Sequence, residues 1–174
     1  MNDKSGAFKM ASWQPLLLSD MDVVNEIADG IHTGLPERSE VFEEKVSLFP
    51  KGCRKLVLDN KVVGYGISHP WMLGSIPPLD DFLKILPLAP GCLYIHDVVV
   101  LPVARGCGAA AHYVDYIHGL AVEMGIRALA LVSVYGTDLL WGRFGFQTVR
   151  DDGLTRKLAS YGSTAKYMKW EFHV

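Results

Sequence analysis

The stretch that constrains this chain most is Leu93-Tyr94-Ile95-His96-Asp97-Val98-Val99-Val100-Leu101-Pro102-Val103-Ala104-Arg105-Gly106-Cys107-Gly108-Ala109-Ala110, with its continuation to Met124. Val98 to Leu101 form a continuous apolar, β-branched run, the pattern of a strand buried on both faces, and Pro102 ends it. From Ala109 onward apolar residues recur at helical spacing (Ala110, Val114, Ile117, Ala121) until Gly125. The pattern predicts a strand, a glycine turn and a helix in direct succession. First-turn amides and the dipole of such a helix favour negative charge. Gly106 and Gly108 let the backbone bend sharply and approach a ligand, and Arg105 adds a permanent positive charge with a planar donor fork. The turn is therefore a seat for a pyrophosphate. It has neither the three glycines of a dinucleotide fingerprint nor the Lys-Ser/Thr pair of a P-loop.

The rest of the chain supplies a sheet around this strand. Trp13 to Leu18 reads as an edge strand, Ser19 or Asp20 caps a helix reaching about Ile31, and Pro36 to Leu48 reads as a second amphipathic helix. Lys55 to Asp59 and Val62 to Ser68 form an antiparallel hairpin through Asp59-Asn60-Lys61, ended by His69-Pro70-Trp71. The proline-rich stretch from Gly74 to Pro90 is an insertion-like loop with room for a short helix at Leu79 to Leu86. Arg127 to Val134 reads as a buried strand parallel to the central one, Gly136 to Phe144 as a short helix, and Phe146 to Val149 and Lys166 to Phe172 as strands joined by a Gly/Ser/Asp-containing connection. The expectation is one α/β domain whose mixed sheet carries helices on both faces.

Of 174 residues, 49% are hydrophobic, which excludes a disordered chain, and a net charge of -2 supplies no basic field for nucleic acid. No apolar run is long enough to span a bilayer, and Met1 to Ala11 lacks the uncharged apolar core of a secretory signal, so the expectation is a cytoplasmic protein. Cys53, Cys92 and Cys107 form no Cys-x-x-Cys pair, which speaks for reduced thiols and against a metal site.

Arg105-Gly106-Cys107-Gly108-Ala109-Ala110 fits the Arg/Gln-x-x-Gly-x-Gly/Ala signature of the GNAT superfamily of acetyl-CoA-dependent N-acetyltransferases. Trp141-Gly142-Arg143-Phe144-Gly145-Phe146 resembles the aromatic-x-x-x-Gly-Phe segment that follows the fifth strand in that family. The resemblance implies a single GNAT-like domain over residues 1–174, with a mostly antiparallel sheet and two parallel central strands that splay apart. It implies acetyl-CoA as cosubstrate, with no metal, and a small-molecule or peptide amine as acceptor. Neither nucleic acid nor membrane is expected as a partner, and homodimerisation is left open. By position the main chain of Val98, Val99 and Val100 would follow the pantetheine, and Arg105 to Ala110 would hold the phosphates.

For the base that takes a proton from the amine, His96 is the preferred residue, since imidazole titrates near neutrality and the family often places a His or Glu in this strand. The competing reading is a satisfied core histidine. Tyr94, two residues away on the same face, is positioned to hold a relay water, while strict alternation turns Asp97 the other way, to orient His69 or anchor the sheet. The tyrosine that commonly serves as acid stands four residues before the Gly of the Gly-Phe pair, but here that residue is Trp141, whose indole N–H does not usefully give up its proton. Trp141 is left to pack on the pantetheine arm, and Tyr135 is the nearest substitute acid, with water as the alternative. The missing tyrosine also motivates a second reading, a non-catalytic acyl-CoA-binding or sensor domain. Glu40, Glu43 and Glu44, with His69 and Trp71, are candidates to attract a cationic or aromatic amine, or else form a solvated helix face.

Overall fold

The computed structural model describes residues 10–173, so Met1 to Lys9, most of the stretch read above as lacking a signal, lie outside the described residues. Seven strands form one sheet: β1 (Ser12–Pro15), β2 (Cys53–Leu58), β3 (Lys61–Trp71), β4 (Cys92–Val100), β5 (Ala128–Ser133), β6 (Gln147–Thr148) and β7 (Lys166–Glu171). Their order is β1-β2-β3-β4-β5-β7-β6, and β4 and β5 make the parallel pair in an otherwise antiparallel sheet. The mixed sheet expected from the sequence is thus present. The β2–β3 turn places Asp59 and Asn60 at φ 50 and 60, the left-handed values that a tight hairpin requires and that Asp and Asn tolerate.

Three long helices cover the sheet: α1 (Met21–Ile31), α2 (Ser39–Leu48) and α3 (Ala109–Glu123). The apolar stripe of α1 and α2, including Val24, Ile27, Phe42 and Val46, packs on Tyr65, Ile67 and Val99. On the opposite face Tyr113, Val114, Ile117 and Ala121 of α3 pack on Leu93, Ile95, Leu129 and Leu131. Two short helices complete the chain, α4 (Asp138–Arg143) and α5 (Asp152–Leu158).

β3 runs past the predicted end at Ser68 and carries Pro70 inside it. The proline is accommodated because β2 pairs with β3 only as far as Ile67, so beyond that point one side of β3 needs no N–H donor. The short helix expected at Leu79 to Leu86 does not form. Asp80 and Lys84 have φ 52 and 66, incompatible with a helix, and the amides of Leu83 and Lys84 donate to the Glu44 carboxylate at 2.6 and 2.9 Å instead. Helix α5 was not foreseen within the connection after Val149. The signal was Asp151, whose carboxylate accepts from Gly153 N at 2.7 Å as an N-cap, but two turns are too short to establish a helical period.

Candidate functional site

The centre of the molecule is a place where the sheet comes apart. β4 and β5 are in register only from Leu93 to Ile95 against Leu129 to Leu131, although β4 continues to Val100. Beyond Ile95 its far half is paired to β3 alone, and a cleft of about 800 Å³ opens on the other side. The N–H of Leu101 donates to Val63 O on the β3 side, so by strand alternation Val99 also faces β3 while the amides of Val98 and Val100 turn into the cleft. The Val100 carbonyl accepts Nε of Arg105 at 2.9 Å, which pins that side chain across the cleft mouth.

Gly106 and Gly108 have φ 84 and 73, values that favour glycine, and Gly108 is the N-cap of α3 with no side chain satisfying its first amides. A Cβ on Gly106 would meet nothing within 4 Å, and one on Gly108 nothing nearer than 3.9 Å, so the space over the turn is open. Arg105, Gly106, Gly108, Ala109 and Ala110 all line the cleft, whereas Cys107 is exposed and does not. Unsatisfied N–H groups, the positive end of α3 and a guanidinium converge there, which is the donor set an anion requires.

A β-bulge decides what the floor of the cleft carries. Register shifts between Ile67 and Ser68, which oppose Asp97 and Ile95, so His96 is the extra residue. Ile95 and Val98 pack toward α3 while Ile67, which opposes Asp97, and Val99 pack toward α1 and α2. His96 and Asp97 therefore share a face, against the expectation that Asp97 points away from His96. Asp97 does not orient His69 either: its carboxylate accepts Tyr65 Oη at 2.6 Å and His32 Nε2 at 2.9 Å.

Two imidazole–carboxylate pairs result. In the deeper one His96 Nε2 lies 2.9 Å from Glu37, with side-chain exposures of 2% and 7%. Glu37 also accepts the Asp80 amide at 3.1 Å. Burial works to raise the Glu37 pKa, but the charge and hydrogen bond of His96, with Lys45 behind, overcome it and hold the carboxyl at about 2. With Nε2–H committed to Glu37, Nδ1 of His96 is buried and has no hydrogen-bond partner. The second pair, His32 and Asp97, is more open at 15% and 11%. Burial works to lower the His32 pKa, but Asp97 and the more distant charge of Glu37 raise it above the ordinary imidazole value.

Tyr94, His96, Val98, Val99, Val100, Tyr135 and Trp141 all line this cleft. Tyr135 is 53% exposed and its Oη lies 3.1 Å from His32 Nδ1. The indole N–H of Trp141 donates to Thr137 Oγ1 at 3.2 Å. His69 and Trp71 do not line the cleft; His69 is buried beside His96, and burial first, then the His96 charge, push its pKa down to about 3. Nor do Glu40, Glu43 and Glu44 line it: Glu43 accepts Ser39 Oγ, and Glu44 holds the 83–84 backbone. The acids that do line the cleft are Asp97 and Glu37, the latter in the loop before α2. His32 and Glu37 were missed, since no periodicity marks a loop residue as inward-facing, and Tyr65 was read only as part of a strand, its reach to Asp97 being a tertiary contact. Among the described residues no group of three or more His, Cys, Asp or Glu is placed to hold a metal, and no helix is long and apolar enough to cross a membrane.

The family described as "Acetyltransferase (GNAT) family" matches residues 24–146, well over half of the chain. No curated protein matches the sequence. Among solved structures, Ard1 from Thermoplasma volcanium superposes with a TM-score of 0.70 at 13% identity, covering 94% of this chain and 99% of that one. N-acetylglutamate synthase from Neisseria gonorrhoeae, complexed with coenzyme A and N-acetyl-glutamate, gives 0.71 at 19% identity, covering 95% of this chain and 36% of that one. A GNAT-like decarboxylase, GphF, in complex with isobutyryl-CoA gives 0.73 at 13%, covering 93% and 100%. At these identities the likeness is one of fold.

Proposed function

Since the chain belongs to the acetyltransferase (GNAT) family, we propose that it is an N-acetyltransferase, moving acetyl from acetyl-CoA to a small-molecule or peptide primary amine by direct attack in a ternary complex. The observation that carries this reading is the parted β4–β5 pair, which opens a single cleft onto both the α3 N-terminus and the His96–Glu37 pair. The residues fit the cosubstrate: free first-turn amides and Arg105 suit the pyrophosphate, and the amides of Val98 and Val100 suit a pantetheine arm. Bound acetyl-CoA supplies an activated acyl group with a thiolate leaving group.

His96 takes the proton from the attacking amine at Nδ1, the nitrogen that its bond to Glu37 leaves free. Glu37 keeps the ring in that tautomer and stabilises the imidazolium that forms. Tyr94 borders the same floor and is suited to hold a water on the proton's path. Tyr135 gives a proton to the departing sulfur, as the indole N–H of Trp141 does not usefully give up its proton and is engaged by Thr137. That engagement is also what favours the second reading, an acyl-CoA-binding domain without turnover.

Calorimetric titration with acetyl-CoA, CoA and NAD, followed by a thiol-release screen against an amine library, separates these readings. Binding of CoA species with thiol release for some amine is expected. Binding without release for any amine would favour the sensor, and NAD binding without CoA would overturn both. Gly108→Trp, placed over open space at φ 73, is expected to abolish CoA binding in a folded protein, as its indole covers the α3 amides.

A further inference from the structure

The sequence departs from its family where the acid should stand, and the structure shows an arrangement in the same cleft that no motif announces. Three side chains distant in sequence meet there: His32 after α1, Asp97 at the bulge of β4 and Tyr135 after β5. His32 Nε2 lies 2.9 and 3.0 Å from the two oxygens of Asp97, and Nδ1 lies 3.1 Å from Tyr135 Oη. The His32 and Tyr135 rings stack at 5.9 Å and 19°. Tyr65 Oη donates to Asp97 from below at 2.6 Å, so the carboxylate is held on both sides. Tyr135 sits at φ 55, unfavourable for a residue with a Cβ, and the adjoining Gly136 at φ 72 completes the left-handed turn that aims the phenol at His32.

We propose that His32, fixed by Asp97, is a positioning and proton-supplying residue for Tyr135, and that this Tyr135–His32–Asp97 chain replaces the acid that Trp141 does not provide; the inference rests on the transferase reading above. As the thioester C–S bond breaks, its electron pair stays on sulfur. The Tyr135 O–H bond then breaks while an S–H bond forms, and the Nδ1 proton of His32 passes to the phenolate oxygen. His32 is left neutral with Nε2–H still donating to Asp97, and it regains its proton from solvent. The proton removed from the amine leaves His96 to solvent, so charge and protons balance over the cycle.

The groups facing His32 agree with this role. Asp97 from β4 and Glu37 from the loop before α2 both favour the imidazolium, against the opposing effect of burial, and Tyr135 is the neutral partner on the third side. A protonated ring has two N–H donors, one for Asp97 and one for the phenol oxygen. The supply of protons therefore persists below the raised His32 pKa and fails above it.

The test is steady-state kinetics of the full chain with acetyl-CoA and an accepted amine, for His32→Gln, Tyr135→Phe and the double variant. Each single change is expected to lower kcat about 100-fold, the low end of general acid catalysis, with KM for acetyl-CoA unchanged and the double variant no slower than Tyr135→Phe. The falling alkaline limb of the kcat profile should disappear in His32→Gln. An unchanged kcat and limb in His32→Gln beside a slow Tyr135→Phe overturns the chain and leaves the transferase standing. So does a further loss in the double variant. CoA binding without turnover of any amine by the unaltered protein overturns the transferase reading and the chain together. Since His32→Gln also removes a partner of Asp97, the His32 titration by NMR in the unaltered protein is read alongside. A midpoint above the ordinary imidazole value supports the chain, and one at or below it overturns it.

Discussion

The two imidazole–carboxylate pairs of the cleft are alike in chemistry and unlike in setting. His96 and Glu37 are almost wholly buried, with one ring nitrogen unpartnered, and Lys45 adds a buried positive charge behind the carboxylate. His32 and Asp97 are more open, and both ring nitrogens of His32 are partnered. In the mechanism we propose, the first pair accepts a proton and the second delivers one. One bulge residue separates the roles, because it turns His96 and Asp97 to the same face and gives each its own carboxylate or imidazole.

The sharpest way to break this comparison is to remove the deeper imidazole. His96→Ala is expected to cut kcat by about 100-fold or more, to erase the rising acid limb of the pH–rate profile, and to leave CoA affinity by calorimetry unaltered. An unchanged profile would remove His96 from the chemistry and make its pair purely structural.

Next in size is Glu37→Gln. The carboxyl is held at about 2 against an ordinary value of 4.5, so its ionised form contributes stability at neutral pH, on the order of 3 kcal/mol at most and in full only while His96 is protonated. The folded pKa is depressed, so this contribution is complete above about 4.5 and is lost as pH falls toward 2. Urea unfolding should therefore show a large deficit for the variant at pH 7 and little difference near pH 2. An equal deficit at both would place the loss in packing and not in charge.

Tyr65→Phe tests the support of the open pair. It deletes a buried hydrogen bond to a carboxylate and is expected to cost about 2 kcal/mol. The His32 NMR midpoint should move little, since Asp97 keeps its charge. The smallest effect belongs to His32 itself. Its raised pKa contributes stability that is complete below the ordinary value of 6.5 and fades as pH rises through the raised one. His32→Gln should thus narrow its stability gap to the unaltered protein on going from pH 6 to pH 9, by less than either preceding change.

The strand–glycine turn–helix succession was legible in the sequence because each part has a local cause: a β-branched run, residues without Cβ, and a helical period. The same is true of α1, of the β2–β3 hairpin and of β5, and the Gly-Phe segment marked the family at a second place. Pro70 and the 79–86 segment were misjudged for one reason. Whether a proline is tolerated or a short helix forms depends on which neighbour needs the backbone N–H, and here β2 had already ended and Glu44 took the amides. His96 and Tyr135 could be proposed from position along the chain. Their partners could not, since Glu37 lies 59 residues from His96 and Tyr135 lies 103 from His32. Local chemistry along the chain determined the glycine turn and the strand that feeds it. Only tertiary structure decided where that strand bulges, because a bulge is a mismatch between two strands, and one residue of mismatch reverses the face of all that follow.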